Sequence, residues 1–386
     1  MRRKSSYSLF LKALMLTALC VMTTHAAQAE VINFPDKNLE AAVRNAINKP
    51  TGDILDTDLV GTGFKLLVAQ NAGITDLTGL EYCTDLTELH FLRNQISDIS
   101  ALAGLTKLTY LWLDENQISD FSALAGLTNL RDLNLSENQI SDISILAGLT
   151  NLEHLYLFKN QISDISALAG LINLQWLYLS SNKISDISAL KGLTYLESLG
   201  LSTNPISDLA PLAGLINLKD LQLGNSQISD ISILAGLINL ERLSLRESQL
   251  SDLNALADLR KLQKLSLFKN KIRDLSPLSG LASLQDLDLQ YNQISNIDAL
   301  GSLPNLENLE LEGNQVSGIH AQITNARISC RRTFRRLMRA AGLPSLAVNP
   351  TALVPALLVL IPGMVLLVVG LVALRLWRRR GRGGHE

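Results

Sequence analysis

An asparagine recurs every 22 residues through the middle of the chain, at positions 94, 116, 138, 160, 182, 204, 270, 292 and 314. Ser226 and Ser248 fill the two gaps in that series. A strict period of this length means that one supersecondary unit is repeated. A single unit cannot bury its own apolar face, so the units must stack. Composition agrees, since 47% of the 386 residues are hydrophobic but only 5% are aromatic, which leaves leucine and isoleucine to fill the core.

The columns around each asparagine have separate roles. Leu105, Leu108, Leu111 and Leu113 precede Asn116, and Ile118, Phe121 and Leu124 follow it. The Leu111-x-Leu113 alternation predicts a short strand with its leucines pointing inward. Asn116 falls where the chain leaves that strand, and its carboxamide can pair with backbone groups that would otherwise be buried alone, turn after turn. Ser119 and Asp120 supply side-chain acceptors for a turn, after which Phe121, Leu124 and Leu127 return to the core. A serine can make only part of the asparagine's bonding, so Ser226 and Ser248 mark a mild local weakness or a flex point. The register reaches back one degenerate step, with Ile74, Leu77 and Leu80 in place but Ala72 in the asparagine column. It runs down where Gln322 takes a leucine position, giving about twelve turns over residues 62–321. Before them, within 30–61, Asp36 to Asn48 reads as a helix with Leu39, Val43 and Ile47 on one face, suited to cover the first turn.

The run Leu-x-x-Leu-x-x-Leu-x-Leu-x-x-Asn-x-Ile-Ser-Asp-Ile, with a helix introduced by Phe34-Pro35-Asp36, resembles the internalin-type leucine-rich-repeat proteins of bacteria over residues 31–321. The resemblance implies an α/β solenoid, a curved array whose parallel strands line a concave face, and a protein partner bound by that face. The LPxTG sorting signal is not matched by Leu343-Pro344-Ser345-Leu346.

Side chains alternating with the inward leucines face the concave surface. Its first half is aromatic, with Tyr110, Trp112, His154, Tyr156, Phe158, Trp176 and Tyr178. Grouped rings are what a protein hot spot or a sugar-stacking platform uses, and they can equally tile a strand surface through cross-strand contacts. Farther along, Arg242, Arg246, Lys264 and Lys269 are followed by Asp286, Asp288, Glu310 and Glu312. These either steer a charged partner or neutralise one another. His90 and His154 stand three turns apart, roughly 14 Å at about 4.8 Å per strand, too far to share a metal. Cys83 occupies the column of Leu105, Leu127 and Leu149, which predicts a small buried hydrophobe. No nucleophile elbow, phosphate-cradling glycine loop or CxxC pair is present. The expectation is therefore no enzyme activity, no catalytic or metal-binding residue and no cofactor. The expected function is binding of a protein, with glycan or envelope-polysaccharide binding, or a spacer without a ligand, as alternatives. Nucleic acid is not among the expected partners.

The two ends read as targeting segments. Arg2-Arg3-Lys4, an apolar run from Leu9 to Met22 and Ala27-Gln28-Ala29 predict a secretory signal over 1–29. Ala352 to Leu374 is 23 residues without a charge, which predicts a transmembrane helix, with a basic cytoplasmic tail over 375–386. A basic juxtamembrane segment, 322–351, lies ahead of it, and Phe334, Leu337, Met338 and Ala341 form an apolar stripe there at helical spacing. Its Arg327, Arg331, Arg332, Arg335, Arg336 and Arg339 nearly balance the arginines of the tail, so the orientation rests chiefly on the signal segment. The repeats are then expected outside the cytoplasm on a single-pass membrane protein. Between Glu30 and Ala326 there are 19 Lys and Arg against 35 Asp and Glu, an acidic body.

Overall fold

The computed structural model describes residues 29–316. The expected signal, juxtamembrane segment, transmembrane helix and tail lie outside the described residues. Among the described residues no helix is long and apolar enough to cross a membrane.

Among the described residues twelve three-residue strands follow one another at the 22-residue period. They are β1 (Leu66–Val68), β2 (Glu88–His90), β3 (Tyr110–Trp112), β4 (Asp132–Asn134), β5 (His154–Tyr156) and β6 (Trp176–Tyr178), then β7 (Ser198–Gly200), β8 (Asp220–Gln222), β9 (Arg242–Ser244), β10 (Lys264–Ser266), β11 (Asp286–Asp288) and β12 (Asn308–Glu310). Their order in the sheet is their order in the chain. The chain forms two compact units, one up to Leu155 and the other from Tyr156 on. In the first, parallel pairing sets Leu67 against Leu89, Leu89 against Leu111 and Leu111 against Leu133. In the second, the same register runs from Leu177 through Leu199, Leu221, Leu243, Leu265 and Leu287 to Leu309. Leu111, Leu113, Leu124 and Leu127 are fully buried, and so is their column in turn after turn.

The asparagine ladder is explicit. Asn116 Oδ1 accepts from Ile96 N of the preceding turn at 3.0 Å, while its Nδ2 donates to Phe91 O and Leu113 O, each at 3.0 Å. Asn204 repeats the pattern with Ile184 N, Leu179 O and Leu201 O. Each carboxamide thus closes its own turn and ties it to the one before. At the gaps this link is missing. Ser226 Oγ donates to Leu223 O and Ser248 Oγ to Arg246 O, both within their own turn. Among the described residues no acceptor stands at the N–H of Ile206 or Ile228, where a carboxamide serves elsewhere.

Two backbone features escape the repeat pattern. The residue before each ladder position takes a left-handed conformation, as in Arg93, Glu115, Lys159, Thr203 and Tyr291 at φ 53–58°, and only the last turn places a glycine there, Gly313. The return segments are short 3-10 helices, such as Ser122–Gly126 and Ser166–Gly170. The only α-helices among the described residues are α1 (Lys37–Ala46) and α2 (Asp56–Leu59), both in the cap. An aspartate opens many of the returns. Asp120 Oδ1 accepts from Ser122 N at 2.8 Å, and that N–H and the Ser122 hydroxyl hold the carboxyl below its ordinary range.

The cap helix forms as expected, with Leu39 and Val43 fully buried, but it stops at Ala46 and leaves Ile47 as a half-buried C-cap. Asp36 caps it by accepting from Asn38 N and Leu39 N, and its other oxygen accepts from Thr75 N at 2.7 Å in the first turn. Burial pushes this carboxyl up, yet the N–H groups of Thr75, Leu39, Asp76 and Asn38 outweigh it and hold the group below its usual value. Gly79 is required here, because at φ 101° its Cα lies so close to Phe34 that a Cβ would meet the ring at 2.6 Å. Cys83 is fully buried, and burial, with the Glu81 charge second, pushes its thiol to about 12. That rules it out as a thiolate nucleophile at neutral pH.

Candidate functional site

Each turn offers three outward positions, six, four and two residues before the ladder residue. The first unit has Glu88, Tyr110, Asp132 and His154 in the first column, His90, Trp112 and Asn134 in the second, and Leu92, Asp114 and Ser136 in the third. The Trp112 ring stacks on His90 with centroids 4.7 Å apart. Its Nε1 donates to Asp132 Oδ1 at 2.6 Å, and the other carboxylate oxygen meets His154 Nδ1 at 2.9 Å. Asp132 is 6% exposed and so bridges two of the aromatic residues from beneath. Tyr110 is different: it is 40% exposed. Three atoms on this face, His90 Nε2, Asp114 Oδ1 and Ser136 Oγ, are buried without a hydrogen-bond partner, and burial raises the Asp114 carboxyl above its ordinary value.

In the second unit Tyr156 and Tyr178 stack nearly parallel at 5.5 Å, and the Tyr178 hydroxyl bonds Ser198 Oγ at 2.6 Å. Gly200 makes room for this, since a Cβ there would meet Tyr178 Cδ1 at 2.7 Å. Trp176 is 41% exposed, and Phe158 is half-buried. The rings of the middle column are therefore tied down by one another and by polar neighbours, as cross-strand tiling would have it. Each unit presents one well-exposed ring in the first column, Tyr110 and Trp176. Asp132 and Ser198 were not legible as site residues, because an outward polar residue at a strand start carries no sign of the ring it will hold.

The charged rows of the second unit largely neutralise one another. Arg242 pairs with Asp220 at 2.8 Å, Lys264 with Asp286 at 3.3 Å and Lys269 with Glu247 at 2.8 Å. No group of three or more His, Cys, Asp or Glu suited to a metal occurs among the described residues.

Comparison with known families matches the Leucine Rich repeats (2 copies) family over residues 84–126, 128–170, 172–214, 196–236, 238–280, 260–300 and 282–322. An internalin of Listeria monocytogenes, InlF, is 36% identical, with a TM-score of 0.69 over 78% of this chain and 97% of that one. The chain belongs to the internalin-type leucine-rich-repeat proteins. Internalin C2 from the same organism is 43% identical with a TM-score of 0.54, over 57% of this chain and 98% of that one. The functional domain of Listeria InlJ, which includes a cysteine ladder, is 26% identical with a TM-score of 0.58, over 76% of this chain and 73% of that one. A comparison with curated proteins finds no match. In this internalin-type protein the ladder is asparagine, interrupted by Ser226 and Ser248. Leucine-rich-repeat folds commonly serve protein recognition, because stacked turns present an extended row of outward side chains.

Proposed function

We propose that the protein is a non-enzymatic, extracytoplasmic binding protein that recognises a protein partner through the outward face of its strands, with Tyr110 and Trp176 as anchors. The observation that carries this reading is the division among the rings within each unit: the rings of the middle column are held by one another and by polar neighbours, and the first-column ring, Tyr110 in the first unit and Trp176 in the second, is 40% and 41% exposed. A large ring held on a preorganised surface loses little conformational freedom on binding, which is why such residues dominate protein hot spots. The predicted signal over 1–29 and the uncharged stretch 352–374 support presentation of the repeats outside the cytoplasm, anchored by a single membrane span.

The test is capture from an envelope extract by immobilised full-length protein, compared with the Tyr110→Ala, Trp176→Ala double variant. Tyr195→Ala is the control, since Tyr195 is the more exposed ring at 62% but lies on the return side of its turn. Specific capture lost in the double variant and kept in the control supports the reading. Equal capture by all three overturns it, and retention of polysaccharide in place of protein would turn it toward a glycan.

A further inference from the structure

The charged rows of the second unit form a trough. Along β9 and β10 the middle outward column carries only Ser244 and Ser266, so the floor is low and the edges of Leu243 and Leu265 reach it. Arg242 and Lys264 form one wall, and the trough encloses about 590 Å³. Arg246 and Phe268 occupy the opposite column, and the guanidinium lies over the Phe268 ring, 4.7 Å from its centroid.

The charges that line this trough, together with Arg246 in the outward column beside it, are ordered and incompletely paired. Arg242 and Lys264 have carboxylate partners, but Arg246 is exposed and has none among the described residues. The far end has the opposite sign. Among the described residues the Asp288 carboxylate accepts from the Ser266 hydroxyl, at 3.0 Å, and from the Gln290 N–H, and has no cationic partner. Glu310 accepts from Gln290 Nε2 and, among the described residues, has no cationic partner. An unpaired guanidinium beside a serine floor suits a carboxylate, and an uncompensated carboxylate pair suits an ammonium or guanidinium. Arg246 and Asp288 belong to turns two strands apart, about 10 Å at roughly 4.8 Å per strand, and to neighbouring columns about 7 Å apart along the strand, so they stand about 12 Å apart. An extended polypeptide covers that distance in about three to four residues.

We propose that this trough docks an extended segment of a protein partner carrying an acidic residue over Arg246 and a basic residue about three to four positions away over Asp288 and Glu310. A purely anionic ligand, such as a phosphorylated headgroup, would gain at Arg246 and be repelled at Asp288, which is why a chain bearing both signs fits. The inference rests on the reading of the strand face as a protein-binding surface and adds to it the chemistry of the partner.

The experiment is selection of a random displayed-peptide library on the full-length protein. Wild type should enrich sequences pairing an acid and a base about three to four residues apart, with binding that weakens as salt rises. Arg246→Glu should remove the acid from the enriched sequences, and a peptide selected on wild type should bind that variant at least about ten-fold more weakly. Asp288→Asn, acting from the other end, should relax the requirement for the base alone and keeps the test open should the first variant fold poorly. A wild-type pool without charge pairing, or the same pool from both variants, overturns the proposal. The Tyr110→Ala, Trp176→Ala protein should select the same peptides as wild type. Loss of charge pairing with intact ring-dependent capture from the extract would therefore remove this inference and leave the proposed function standing.

Discussion

Replacing Asn204 by alanine tests the physical core of the fold at its most buried ladder asparagine, a residue 3% exposed. The carboxamide accepts from Ile184 N at 3.0 Å and donates to Leu179 O and Leu201 O, each at 3.0 Å. Alanine leaves all three backbone groups without that partner. A buried polar group left unpaired costs about 1–3 kcal/mol, so the variant should lose about 3–5 kcal/mol, toward the lower end because neighbouring turns can shift. Repeat arrays open locally, so the assay is hydrogen exchange read by mass spectrometry rather than a single unfolding midpoint. A loss of about 3 kcal/mol raises the local opening constant by about two decades, and the Ile184 amide should report it first. Asn204→Ser should fall between wild type and alanine, since a serine there can close its own turn as Ser226 does at 2.7 Å while abandoning the preceding one. A loss under about 1 kcal/mol in the alanine variant, with the Ile184 amide still protected, would refute the ladder as a source of stability.

Other consequences follow from the same geometry. Ser226→Asn should restore the acceptor for Ile206 N and stabilise the second unit by about 1–2 kcal/mol, visible as slower exchange of that amide. Asp36→Asn should keep the helix cap, since an asparagine oxygen accepts from Asn38 N and Leu39 N equally well, but should lose the acceptor for Thr75 N, costing about 1 kcal/mol and speeding exchange at Thr75. Because the Asp36 carboxyl titrates below the ordinary value of 3.8 in the folded chain, its contribution is full at neutral pH and is lost as the pH falls through and below that value. Exchange at Thr75 should therefore accelerate in acid in wild type but not in the variant. If the leader is cleaved as proposed, mass spectrometry of the mature protein should find Glu30 at its N-terminus, and an intact Met1 would contradict secretion.

The turns were legible because burial imposes a residue type at each position. Leu111, Leu113 and Asn116 have one acceptable chemistry each, so a 22-residue spacing of those types carries the strand, the core and the ladder at once. The left-handed residues before the ladder were not legible, since Glu115, Thr203 and Tyr291 are no turn formers and are held there by the turns on either side. The 3-10 returns were missed for a related reason: Ser122–Gly126 is too short for helical periodicity to register. Alternation places each aromatic residue on the outward strand face, but its availability is not legible from alternation. Trp112 and Tyr178 are restrained by Asp132 and Ser198, contacts between side chains of adjacent strands that a single sequence does not announce. Tyr110 and Trp176 emerge as the exposed pair only once those contacts are known.

The central claim is that recognition occurs on the outward strand face, and site-specific photo-crosslinking addresses it most directly. A photoreactive phenylalanine analogue placed in turn at Tyr110, Trp176 and Tyr195 of the full-length protein, exposed to envelope extract and irradiated, reads which surface lies against the partner. The account predicts a protein adduct from positions 110 and 176 and none from 195. An adduct from 195 with none from the strand-face positions would contradict it.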